Sequence, residues 1–95
     1  MGFSIQDSVV IPTSGVNLAN LNVTCNSYYR LRKAIVNNQA KYYAKTIFKY
    51  YVDLTKQPVW QREYETEVTV NDLSTNIVSK LYASIKVDYV NTTDN

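Results

Sequence analysis

Ninety-five residues with ten Lys or Arg against eight Asp or Glu, a formal net charge of +2, make one domain without the field that draws chains to nucleic acid or acidic membranes. Histidine is absent and Cys25 is the sole cysteine, which excludes imidazole catalysis and an intrachain disulfide and removes the commonest metal ligand. Hydrophobic residues at 45% suffice for a small core, and nine Tyr against two Phe and one Trp suit sheet surfaces and interfaces that are half wet.

Phe3, Ile5, Val9 and Ile11 alternate with Ser4, Gln6 and Ser8, the period of a half-buried strand, and Pro12-Thr13-Ser14-Gly15 ends it with turn chemistry. Residues 1 to 11 lack the charged start and apolar run of an export signal, and nothing approaches the ~20 apolar residues that span a bilayer. The expectation is a soluble protein with no export signal and no membrane partner, at home in the cytoplasm of a host cell or in a virion. Val16, Leu18, Leu21, Val23 and Cys25 change parity between Leu18 and Leu21, so a bulge or irregular stretch near Asn20 must re-aim the side chains. Tyr29, Leu31 and Ile35 then alternate with Arg30, Arg32 and Ala34, up to Asn37-Asn38-Gln39, where Asn tolerates left-handed turn geometry.

Residues 42–70 carry the strongest pattern. Tyr42, Ala44, Phe48, Tyr50 and Val52 share one parity, as do Trp60, Tyr64, Thr66, Val68 and Val70; Lys45 and Lys49, and then Glu63, Glu65 and Glu67, occupy the other. Folding the segment about Thr55-Lys56-Gln57 sets Lys49 against Glu63, Lys45 against Glu67, Val52 against Trp60 and Phe48 against Tyr64. Opposite charges and aromatic pairs directly across a ladder stabilise a hairpin. A helical stripe through Ala40, Tyr43, Ala44, Ile47, Phe48 and Tyr51 competes with this reading.

After turn formers at 71–75, Ile77, Leu81, Ala83, Ile85, Val87 and Tyr89 share a parity, which predicts a third strand with Lys80 beside Glu67. Leu73, Ile77, Leu81 and Ile85 also fit a helix. The polar residues 91–95 predict a frayed tail. The fold expected is all-β, a small antiparallel sandwich or flattened barrel with a C-terminal three-strand meander covered by the N-terminal strands. The alternative is α+β with a helix in 40–51 or 73–84.

Chemistry is scarce. Two glycines, Gly2 and Gly15, allow no phosphate-binding loop. Glu63, Glu65 and Glu67 repeat about 6–7 Å apart on one strand face, near glycosidase separations, but a face neutralised by lysines keeps carboxylates ionised, the wrong direction for a general acid. No metal, cofactor or enzyme activity is expected. Trp60 and Arg62 stand on the apolar side with Tyr50, which the register sets across from Arg62; they read either as interface anchors or as a lid on the core with Arg62 reaching past it to water. Tyr28, Tyr29, Arg30 and Arg32 interleave rings and cations, as in proteins that grip single strands, although the overall charge makes nucleic acid a poor expectation as partner.

The sequence therefore leads to a non-enzymatic structural or interaction subunit of a larger homo-oligomeric assembly, with a virion head, neck or tail component as one natural setting by analogy. Its partners are copies of itself and other subunits, and its candidate interface residues are Trp60, Arg62, Tyr50, Tyr28, Tyr29, Arg30 and Arg32. The alternatives are a binding module for single-stranded nucleic acid or carbohydrate, carried by Tyr28, Tyr29, Arg30, Arg32 and Trp60, and a soluble protein inhibitor.

Overall fold

A computed structural model describes residues 2–94. The described chain is mostly antiparallel strand: β1 (Phe3–Ile5), β2 (Val9–Val10), β3 (Asn17–Leu18), β4 (Leu21–Thr24), β5 (Tyr28–Val36), β6 (Gln39–Tyr51) and β7 (Trp60–Val68), then α1 (Val70–Ser74), α2 (Ile77–Lys86) and β8 (Thr92–Asp94). β6, thirteen residues long, is the spine. One of its edges takes β7; the other takes β5 along its first half and β4 along its last residues, with β1 and β8 beyond β4. β2 and β3 pair separately as a small ribbon. The sheet does not close into a barrel.

Local chemistry explains these elements. Asn37 and Asn38 both adopt positive φ, 51° and 63°, and pair Val36 with Gln39, a two-residue turn of the kind whose twist matches the flanking strands. Asn20, at φ 56°, makes the parity change between β3 and β4 a left-handed corner. Between β6 and β7 the loop is wider than the sequence pattern suggests. The Asp53 carboxylate accepts from the Thr55 amide (2.9 Å) and hydroxyl (2.8 Å), the Lys56 amide donates to the Asp53 carbonyl (3.0 Å), and the Val59 amide closes the loop onto the Tyr50 carbonyl (2.8 Å).

The hairpin register is therefore two residues away from the expected one. Tyr50, not Val52, pairs with Trp60; Phe48 pairs with Arg62, Lys45 with Glu65 and Lys49 with Gln61. A slip of two leaves every side chain on its original face, so both faces survive the correction. Val52 leaves the strand and is 53% exposed.

Residues 40–51 are strand, but the third strand of the meander is replaced by α2, in the segment where a helix was the alternative. Thr69 and Asp72 cap α1 reciprocally, and the Asn76 side chain accepts from the Ser79 amide at 3.2 Å to start α2. Lys80 consequently approaches Asp72 (4.0 Å) rather than Glu67. α2 buries Leu81, Tyr82 and Ile85 on the sheet. The cover over the apolar face is thus this helix, whereas β1 and β4 extend the sheet itself, so the layers are sheet and helix rather than sheet on sheet. The Tyr82 ring lies 5.9 Å from both Phe3 and Phe48, and the core gathers Phe3, Ile5, Leu21, Val23, Ala44, Phe48 and Tyr50 beneath it. Residues 92–94, in the segment expected to fray, pair with β1, and Gln6 donates to the Thr93 hydroxyl at 3.0 Å; Asn95 lies outside the described residues. No helix among the described residues is long and apolar enough to cross a membrane.

Candidate interaction surface

The seven candidate residues fall into two groups. Tyr50, Trp60 and Arg62 stand at the end of the inner face near the 52–59 loop. Tyr50 is fully buried with its ring 4.7 Å from Trp60, and its hydroxyl shares a 2.6 Å hydrogen bond with that of Tyr89. Burial, helped by that bond, pushes the Tyr50 phenol far above its ordinary value. Arg62 does not stack on Tyr50 as its expected register placed it; it crosses the Tyr64 ring at 5.2 Å, donates to Tyr89 (3.3 Å) and pairs with Asp88 at 2.7 Å. These three side chains close the core against the segment after α2. Asp88 and Tyr89 were missed as partners because the strand reading of 77–89 put them on a third strand; the four-residue steps from Leu81 to Ile85 to Tyr89 carried the signal.

The second group lies on β5. A register shift between Tyr28 and Arg30 sends Tyr28 to the half-buried inner side, level with Thr46, while Arg30 and Arg32 sit on the outer face level with Lys45 and Tyr43. Tyr29 donates to Glu63 at 3.2 Å. Arg32 stacks 4.5 Å over Tyr43 and reaches across β6 to Glu65 at 2.8 Å, and this hydrogen bond holds the Glu65 carboxyl below its usual range. Trp60 joins none of these residues, so the set proposed to bind nucleic acid or carbohydrate is divided between two faces.

The outer face is consequently three rows of charge. β5 contributes Arg30 and Arg32, β6 contributes Lys41, Lys45 and Lys49, and β7 contributes Glu63, Glu65 and Glu67. Ion pairs run diagonally, Lys45 to Glu63 at 3.2 Å and Lys41 to Glu67 at 3.5 Å. All are solvated, and each contributes little to folding. The acidic strand is an edge strand, not the central one that the meander required.

No strand among the described residues pairs with the outer edge of β5 or of β7. β5 is unusual in a second respect: none of its nine side chains is buried, although Tyr29, Leu31, Ile35 and Val36 are 54%, 42%, 66% and 39% exposed. α2 covers β6 and β7 but leaves β5 bare. Where β6 passes from β5 to β4, a shallow cavity of about 390 Å³ opens beside Cys25, Tyr29 and Lys49, with no nucleophile and base set against one another. Among the described residues, no three His, Cys, Asp or Glu side chains gather as they do around a metal ion. No family model, curated protein or solved structure matches this chain.

Proposed function

We propose that this protein is a non-enzymatic structural subunit that builds a homo-oligomeric assembly through its sheet edges, in a setting such as a virion head, neck or tail. The observation that carries the reading is β5: a strand rich in β-branched and aromatic residues, with no side chain buried and a backbone edge that no strand among the described residues pairs. Isolated proteins blunt such edges with proline, short length, charge, a bulge or a covering segment. β5 has the charges of Arg30, Arg32 and Lys33 and a register shift at its start, but among the described residues it has no proline, shortening or cover. Pro12 and Pro58 lie elsewhere, and β5 is as long as β7. Lys33 is the only charge on its inner face, between Leu31 and Ile35. Light scattering on the purified chain over a hundredfold concentration range tests the proposal. Masses above the monomer that rise with concentration support it, and a monomer throughout refutes it.

A further inference from the structure

The two open edges carry opposite charge, and we infer that a second copy of this chain docks head to tail, its β7 edge against β5. The inference rests on the assembly reading above and adds the mode of contact. β5 and β7 each run antiparallel to β6, so they are parallel to one another. A copy translated across the strands without rotation therefore presents its β7 beside β5, with outer face continuing into outer face. Its glutamate row then meets Arg30 and Arg32. The two-fold alternatives offer these rows no opposite charge: β5 against β5 brings two basic rows together, and β7 against β7 two acidic rows, so neither forms an ion pair on the outer face.

The register also limits the fit. Trp60 is level with Tyr50, well beyond the level of Arg30 at Lys45, so β7 overhangs β5 towards β4 and β1. A slide of about two residues towards the Asn37-Asn38 turn brings the incoming Trp60 level with Phe48, clear of residues 49–51 where β4 pairs with β6, and an even slide preserves both faces. The copy's Glu63 then lies beside Arg30, its Glu65 beside Arg32 and its Glu67 beside Ala34. Arg32 already holds its own Glu65 through Nε and one terminal nitrogen, but a guanidinium has five N–H donors, and no ion pair within the described residues engages Arg30. Unlike a two-fold dimer, this contact leaves a free edge at each end, so it propagates into a filament or closes into a ring.

Charge reversal at each edge tests the geometry. One variant carries Arg30→Glu with Ala34→Glu, and a second carries Glu63→Lys with Glu67→Lys. Each alone is expected to need roughly tenfold more protein for half-association, and an equimolar mixture is expected to recover the wild-type mass, because the altered edges complement one another. Circular dichroism melts confirm that both variants are folded. As a measurement independent of either variant, wild-type association weakens as salt rises from about 0.05 to 0.5 M, since surface charges are screened. A wild type that is monomeric overturns the inference together with the proposed function. A wild type that assembles, with single variants or added salt leaving its mass unchanged or with mixing restoring nothing, overturns the head-to-tail mode alone.

Discussion

Tyr82→Phe isolates the contact that fixes α2 over the sheet. The Tyr82 hydroxyl accepts from the Cys25 amide at 2.8 Å and donates to the Cys25 carbonyl at 3.2 Å, at the corner where β4 leads into β5. Residue 82 is 5% exposed, and the ring packs edge-on against Phe3. Phenylalanine keeps the ring and its packing, so the substitution removes two hydrogen bonds and leaves the Cys25 backbone groups without that partner. At about 0.5–1.5 kcal/mol per bond, the loss is roughly 1–3 kcal/mol, or about 5–20 °C in Tm for a domain of this size. Urea and thermal melts followed by circular dichroism measure it, with Tyr43→Phe on the outer face expected to change stability by less than about 0.5 kcal/mol. A Tyr82→Phe protein as stable as wild type would refute the placement of α2.

Alkaline titration probes Tyr50. Its phenol is raised from an ordinary 10.0, so its contribution to stability is fully present below pH 10 and is lost as pH rises towards the folded-state value; melts above pH 10 should show a falling Tm, with a shallower fall in Tyr50→Phe. Trp60→Ala removes a half-buried ring from against Tyr50 and should cost about 2–3 kcal/mol of folding stability while leaving association at matched folded concentration unchanged. A double-mutant cycle between Lys45 and Glu63 should show coupling of a few tenths of a kcal/mol that fades with salt, and one between Lys45 and Glu67 should show less, which separates the observed register from the tighter one.

The face assignments of β6 and β7 were legible because the strand period is two: Ala44, Phe48 and Tyr50 had to share a side whatever the register. The register itself was not legible from pairing rules. Both alignments match lysine with glutamate and ring with ring, and the choice lies with Asp53, whose carboxylate organises the loop locally. Asn37-Asn38 was readable as left-handed because few other residues accept positive φ. The helix at 77–86 was obscured by spacing: Ile77, Leu81 and Ile85 are four apart, a step that fits both a strand face and a helix face. The capping side chains Thr69, Asp72 and Asn76 distinguish them. Alternation also says that β1 and β4 have an apolar side without saying which layer they join. β8 gave no signal, being three polar residues at a sheet rim.

Of the candidate site, the sequence identified Tyr29, Arg30 and Arg32 as a basic aromatic cluster. It did not show that a bulge turns Tyr28 away from them or that Trp60 belongs to the core. The asymmetry between a basic and an acidic edge arises only once β6 separates the two strands, which is a fact of topology rather than of local pattern.

Amide hydrogen exchange resolved along the chain, at low and high protein concentration, addresses the open edges most directly. The account predicts that amides of β5 and β7 directed away from β6 exchange fast in dilute protein and become protected together as concentration rises, while those of β1 and β4 do not change. Exchange in β5 and β7 that is independent of concentration, or protection gained at only one of the two edges, would contradict it.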